Sequence, residues 1–477
     1  MTKTTIGVIG LGLMGRNLTQ NLLEQLDVAV FSYNSDEVHS LIQPANSDSR
    51  LYKTDSIHAF VKTLDRPRKI LLMVTAGDPV DRVIDDLVAI LDRDDIIIDG
   101  GNSHFEDTHR RHLMLEQQGI QYLGTGISGG AKGARHGASV MVGGNIDAYN
   151  QCLPLFEAIS THINSDPCFD HVGPDGAGHY VKMVHNGIEY GIMQLIAETY
   201  RFMQQALGWS SERAGATFAE FNKGPLESYL VEITEKILVQ PDELTGTLLL
   251  NLISDRAEQK GTGQWTVYSA MQLGVPIPTI VAAVTERHLS AMKDQREQAS
   301  RLYPHSDTHS IVTSAATTVE DQAGWTTIIG EALLAAILCT YAQGFSLLGG
   351  AAREFSWGTN LGSVASLWRG GCIIRSALLT DIKQAFDENG ELENLLLAPG
   401  LKPIIEQSQN SWRSLVAAGI QSGSSMPAMS ASLAYVDSYL SETLPSNLIQ
   451  AQRDFFGAHT FERTDREGKF HVDWEDA

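Results

Sequence analysis

Four polar residues in a helix-forming run carry the types needed for acid–base chemistry. Lys182, His185, Asn186 and Glu189 stand at i, i+3, i+4 and i+7, so all four share one helix face. Val181, Val184, Ile188, Ile192 and Leu195 line the other face. A solvated surface also carries a polar stripe, although such a face more commonly holds repeated Lys/Glu pairs than this mixture. A lysine withdrawn from water serves as a general base, and a nearby carboxylic acid as a general acid.

Three further constellations accompany the stripe. Gly10-Leu11-Gly12-Leu13-Met14-Gly15 follows a β-branched run and opens a helix, the context in which a GxGxxG pattern binds a dinucleotide. Gly10 permits the turn, Gly12 lets the backbone approach a pyrophosphate, and Gly15 lets helix and strand pack closely. Asp99-Gly100-Gly101-Asn102-Ser103 and Gly124-Thr125-Gly126-Ile127-Ser128-Gly129-Gly130 each close a strand, where short polar side chains and free amides suit a ligand rich in hydroxyls and a carboxylate. Taken alone, either loop reads equally well as a glycine-rich turn. Lys260-Gly261-Thr262-Gly263, Glu286-Arg287-His288 and the run from Arg453 to His459 offer cations and a hydroxyl suited to a phosphate, yet singly they are ordinary surface residues.

Positioning these residues requires two kinds of architecture. Runs at Thr5–Ile9, Val28–Phe31, Lys69–Val74, Ile96–Asp99, Gln121–Gly124 and Val140–Val142 alternate with helical segments such as Met14–Leu26 and Asp78–Leu91, the pattern of βαβ units in a parallel sheet. Asp78 is the expected N-cap of its helix, with Pro79 at the first helical position. Beyond Gly173-Pro174-Asp175-Gly176 the strand pattern stops and long helical runs dominate to about Ser438, broken at Gly224-Pro225 and Gly274-Val275-Pro276. The expected organisation is a Rossmann-like, doubly wound α/β domain over 1–176, a large all-α domain over 177–437 that also dimerises, and a short C-terminal tail over 438–477. The tail is too apolar to float free and too irregular to be a domain, so it should dock on something.

With 477 residues the chain has room for about three domain-sized units. A formal net charge of −22 argues against nonspecific binding to nucleic acid or an anionic membrane. Cys152, Cys168, Cys339 and Cys372 form no CxxC pair, which fits a reducing compartment and leaves no zinc ribbon. The N-terminus lacks a secretion signal, and the apolar stretch Ala332–Leu348 holds Gln343 and Gly344, so it reads as a buried helix rather than a membrane span. A cytoplasmic protein is expected.

Taken together these residues resemble the decarboxylating 6-phosphogluconate dehydrogenase family over nearly the whole chain. The most specific runs are Ile97–Ser103, Gly124–Gly130, Gly133–Gly137, Gly178–Tyr190, Lys260–Thr266 and Gln452–Thr460. The resemblance implies oxidation of 6-phosphogluconate at C3 and loss of CO2 to give ribulose 5-phosphate. Lys182 matches the base that takes the hydroxyl proton, and Glu189 the acid that protonates the enediol, with His185 and Asn186 beside them. It assigns substrate contacts to Asn102, Ser128, Gly129, Gly130, Tyr190, Lys260, Thr262 and Arg287. It also implies a homodimer in which Arg453 and His459 of the tail complete the partner's site. Gly10, Gly12, Leu13, Met14, Gly15, Asn34, Ser35, Val74, Thr75, Ala76 and Asn102 match the cofactor positions, and no metal is needed.

The departures from the family fall in the cofactor half. Asn34-Ser35-Asp36 replaces a run whose arginine meets the 2′-phosphate of NADP, and Asn34, 19 positions after Gly15, stands where an NAD enzyme carries an acid. Gly12 replaces an alanine, Val74-Thr75-Ala76 lacks a lysine, and Ala131-Lys132 replaces an acidic residue. Losing cations costs a 2′-phosphate about 1.5–3 kcal/mol per charged hydrogen bond, with Lys132 a partial compensation, so relaxed specificity or a shift from NADP toward NAD is expected. Two other readings are a related β-hydroxyacid dehydrogenase and a catalytically silent paralogue that senses nucleotide or sugar phosphate.

Overall fold

The computed structural model describes residues 6–42, 48–303 and 319–474. Ten strands precede the helical region: β1 (Ile6–Ile9), β2 (Val28–Phe31), β3 (Leu51–Lys53), β4 (Lys69–Leu72), β5 (Ile96–Asp99), β6 (Gln121–Ser128), β7 (Ser139–Gly143), the short pair β8 (His162–Ile163) and β9 (Asp166–Pro167), and β10 (Phe169–Gly173). Eight of them form one sheet in the order β10-β7-β6-β5-β4-β1-β2-β3. The order reverses between β4 and β1, which opens a crevice at the carboxyl ends of the strands. Apolar side chains fill both faces under the flanking helices, as a doubly wound sheet requires.

The strands differ from their expected spans in instructive ways. β4 stops at Leu72: the Met73 N–H still bonds the Ile9 carbonyl of β1, and beyond it the Met73 carbonyl and Val74 flank the glycine loop. β6 continues past Gly124 to Ser128, and that extension pairs antiparallel with β7. The sheet is therefore not wholly parallel. Thr5 lies outside the described residues. The first helix spans Leu13–Leu22. In the helix Asp78–Val88 the N-cap is Gly77 at φ 89°, with Asp78 the first helical residue, so the expected Asp78 cap is incorrect. Asp78 still favours this helix, because an acid in the first turn complements the dipole.

After Gly173 the helix Ala177–Gln205 runs for 29 residues against β6, β7 and the 36-residue helix Val319–Glu354. The latter contains the apolar Ala332–Leu348 stretch, and its most apolar window is 83% buried inside the molecule. One large core joins these helices with Trp368, Trp412, Tyr180 and Phe345. The helices continue to Tyr439.

The tail holds a helix, Ser446–Gly457, and a two-stranded pair, β11 (Phe461–Glu462) with β12 (Lys469–Phe470). Asp454, fully buried, accepts hydrogen bonds from the backbone N–H groups of Thr460 and Val472, from Trp474 Nε1, and from His471 Nδ1. Leu448, Ile449, Phe455 and Phe456 on the same helix are exposed.

Candidate active site

The polar stripe on the helix Ala177–Gln205 is not solvated. Lys182, His185 and Asn186 are 7%, 0% and 8% exposed. Glycines allow the strands to come this close: a Cβ on Gly126 of β6 would stand 2.4 Å from Lys182 Cβ, and one on Gly178 would stand 2.2 Å from the Gly124 carbonyl oxygen. The glycine-rich run after Gly124 is thus a strand whose missing side chains seat the helix carrying the stripe.

Within the stripe, Lys182 Nζ donates to Asn186 Oδ1, and His185 Nδ1 lies 3.2 Å from the same oxygen and 3.8 Å from Glu189 Oε2. On its other side His185 Nε2 is 3.1 Å from Ser128 Oγ, which ties the end of β6 to the helix. Burial pushes the Lys182 ammonium below the ordinary lysine range, opposed by the Glu189 charge. Burial likewise raises the Glu189 carboxyl, opposed by Lys182 and Arg287. His185 is driven well below its usual value by burial and then by Lys182, so it stays neutral. The two proton-carrying groups are thereby moved toward one another, the condition for a base and an acid to work at the same pH.

One turn further on, Tyr190 packs under the guanidinium of Arg287, 4.2 Å from ring centroid to Cζ. A Cβ on Gly263 would stand 2.8 Å from the Tyr190 ring, so the helix Thr262–Gln272 starts against it. Thr262 is buried at that helix's first position, after Gly261 at φ 89° and without a side-chain cap. An uncapped helix start beside an arginine suits a phosphate. Lys260 is exposed just before it.

The loop after β5 is held from beneath. Asp99 accepts from Ser103 Oγ at 2.6 Å, Tyr122 Oη at 2.8 Å and the Gly101 N–H at 3.0 Å. Arg111, fully buried, reaches Ser103 Oγ and pairs with Asp81. His179 spans from Thr108 Oγ1 to the Asp99 carbonyl. Asn102 is left exposed above this network, and Gly129, at φ 121°, abuts Gly371 at the neighbouring loop while Gly130 opens the helix Gly130–His136. Asp99 and His179 stand in recognisable runs, but their bonding to Arg111, Asp81 and Thr108 joins segments far apart in sequence and left no local signal.

In the crevice, Gly10 sits at φ 93° with the Met73 carbonyl where a Cβ would be, and a Cβ on Gly15 would meet the Gly10 carbonyl at 2.0 Å. Nothing lies within 4 Å of a Cβ on Gly12, and the helix beginning at Leu13 has no side-chain cap. That open space in front of free helix N–H groups fits a pyrophosphate. Leu13 and Met14 begin that helix, with Leu13 71% exposed. Val74 packs between Gly10 and Gly101, with Thr75 exposed and Ala76 half-buried on the same loop. Asn34 caps the helix Ser35–His39 through the Asp36 N–H, and Ser35 is exposed. The carboxylate that reaches back toward the glycine loop is instead Glu37, in the first turn of this helix, which sequence reasoning passed over because it lies beyond the end of the strand. It accepts from Ser32 Oγ at 2.7 Å and from the Leu11 N–H at 3.3 Å. Lys132, the expected compensation, lines a cavity with Tyr229, Gly371 and Arg375. Arg453 bonds Gln450, and His459 faces Phe456, both contacts within the tail. Among the described residues no group of three or more His, Cys, Asp or Glu side chains is placed to hold a metal ion.

Residues 5–173 match the NAD binding domain of 6-phosphogluconate dehydrogenase, and residues 178–474 match the C-terminal domain of 6-phosphogluconate dehydrogenase. An NADP(+)-dependent, decarboxylating 6-phosphogluconate dehydrogenase of Bacillus subtilis is 46% identical over 99% of this chain and 100% of its own. A decarboxylating 6-phosphogluconate dehydrogenase of Escherichia coli is 44% identical over the full length of both. The solved 6-phosphogluconate dehydrogenase of Plasmodium falciparum, studied with NADP+ and with 6-phosphogluconate, superposes with a TM-score of 0.93 at 38% identity over 98% of this chain and 100% of that one. Over its whole length, from the glycine loop to the pinned tail, the chain belongs to the 6-phosphogluconate dehydrogenase family.

Proposed function

We propose that this chain oxidises 6-phosphogluconate at C3 and releases CO2, giving ribulose 5-phosphate. The observation that carries the reading is the buried Lys182, depressed in pKa and bonded to Asn186 within the Glu189 stripe. A bound nicotinamide dinucleotide supplies the hydride acceptor. Lys182 in its neutral form takes the C3 hydroxyl proton, with Asn186 fixing the direction of Nζ. His185, neutral and tied to Ser128, donates a hydrogen bond without adding charge. Glu189, its carboxyl raised by burial, returns a proton to carbon once the carboxylate has left as CO2. Asn102, Ser128, Gly129 and Gly130 orient the carboxylate and hydroxyls, while Tyr190, Lys260, Thr262 and Arg287 receive the phosphate.

The cofactor is NADP or NAD, and the absence of an arginine in Asn34-Ser35-Asp36 supports relaxed specificity or a preference for NAD. The tail's exposed Leu448, Ile449, Phe455 and Phe456 support a homodimer in which Arg453 and His459 reach the partner's site. Four buried, unpaired cysteines are in keeping with the cytoplasm. The test is to supply 6-phosphogluconate with each cofactor and follow cofactor reduction and CO2 together. Equal yields of both support the reading. Reduction without CO2 makes the chain a simple hydroxyacid dehydrogenase, and neither product, in folded protein, ends the enzymatic reading.

A further inference from the structure

We infer that Glu37 is the residue that reads the adenosine ribose, and that it selects a free 2′-hydroxyl over a 2′-phosphate. The inference rests on the dinucleotide-binding reading above and assigns its specificity to one side chain. At the end of β2, where the ribose of a dinucleotide lies in this fold, an acid that accepts the 2′-hydroxyl favours NAD. Asn34 is a neutral amide rather than an acid, and its side-chain oxygen is turned to cap the Asp36 N–H. Asp36 is exposed at the first turn of the helix Ser35–His39. Glu37 alone of this group points inward: it is half-buried, and it bridges Ser32 at the end of β2 to Leu11 in the glycine loop. Both bonds end on Oε2. Among the described residues no donor is bonded to Oε1, which leaves that oxygen to accept from a ligand hydroxyl.

The charges around it point the same way. A 2′-phosphate placed there would meet the Glu37 carboxylate with no arginine from the adjoining run to offset it. Of the cations nearby, Arg16 donates to Ser40 Oγ and Lys53 to the His39 carbonyl at the far end of the short helix, each at 3.0 Å, and Arg82 lies beside Tyr33 together with Asp86. Tyr33, beside Asn34, donates to Asp86, adding a second carboxylate to this side of the crevice.

Calorimetric binding of 5′-AMP and 2′,5′-ADP, and of NAD and NADP, to the full-length protein without sugar substrate tests this. Wild-type protein should bind the ligands lacking the 2′-phosphate at least about tenfold more tightly, and Glu37→Gln should narrow that ratio about tenfold, chiefly by gaining affinity for the 2′-phosphorylated ligands. A merely structural role would lower Tm and weaken all four ligands alike, and that outcome overturns the assignment. So does a wild-type preference for 2′,5′-ADP, or an unchanged ratio in a folded variant. Should Glu37→Gln fail to fold, Glu37→Asp draws the carboxylate back from the ribose and must narrow the same ratio. Binding is read apart from turnover, so a protein that selects NAD yet leaves 6-phosphogluconate untouched sinks the proposed reaction and not this assignment.

Discussion

The helix Ala177–Gln205 and the loop Tyr33–Glu37 both border the crevice, and the chain treats them in opposite ways. Lys182, His185 and Asn186 are buried, bonded to one another or to Ser128, and locked by glycines at 126 and 178 whose replacement would force the backbone apart. Tyr33, Asn34, Ser35 and Asp36 are exposed. A change in the first region disturbs strand, helix and core together. In the second it alters little but the ligand.

The contrast breaks first if the buried lysine is dispensable. Lys182→Met should lower kcat by roughly 10²- to 10⁴-fold while dinucleotide binding stays intact, measured by steady-state rates beside calorimetry. The pH profile sharpens the same point. Since Lys182 lies below the ordinary lysine range, activity should rise with pH through a limb set below that range as the ammonium loses its proton. Since Glu189 lies above the ordinary carboxylate range, activity should fall at higher pH as its proton is lost, and Glu189→Gln should flatten that basic limb and, by removing the charge that opposes the burial of Lys182, shift the acid limb to lower pH. A profile in the variant identical to wild type would remove Glu189 from the proton path.

Smaller in effect, Gly126→Ala should destabilise by about 1–3 kcal/mol, because the new methyl collides with Lys182 Cβ and the helix has to retreat. Denaturant unfolding with a midpoint equal to wild type would show that the strand gives way instead. On the open side, Ser35→Arg should tighten NADP about tenfold with no change in KM for 6-phosphogluconate. The smallest effect belongs to Gly12→Ala. A Cβ there meets nothing within 4 Å, so unfolding stability should stay within about 0.5 kcal/mol of wild type.

Much of the scaffold was legible because its signals are local. The glycine loop follows β1 directly, and the helix Ala177–Gln205 declares itself through 3.6-residue periodicity. The stripe on that helix was ambiguous, since burial depends on β6, some fifty residues earlier, and only the packing decides it. β3, at three residues, is too short to show a pattern. β6 beyond Gly124 looked like a loop because glycine is a poor strand former; here the glycines serve the helix packed on them. Gly77 rather than Asp78 caps the helix Asp78–Val88, since a positive φ was needed at the turn and only the backbone reveals it. The Asp99, Arg111 and Asp81 network joins residues far apart in sequence, beyond the reach of any motif.

Asp454 gives the tail a property that its exposed phenylalanines alone would not. Four donors from two stretches, Thr460 and the run His471–Trp474 that flank the hairpin, converge on that one carboxylate, so the helix, the hairpin and Trp474 are set relative to each other before any surface is met. A segment preorganised in this way surrenders little conformational entropy on docking, and more of its buried apolar area survives as affinity. Association through it should accordingly resemble two rigid bodies meeting, rather than a peptide that folds as it binds.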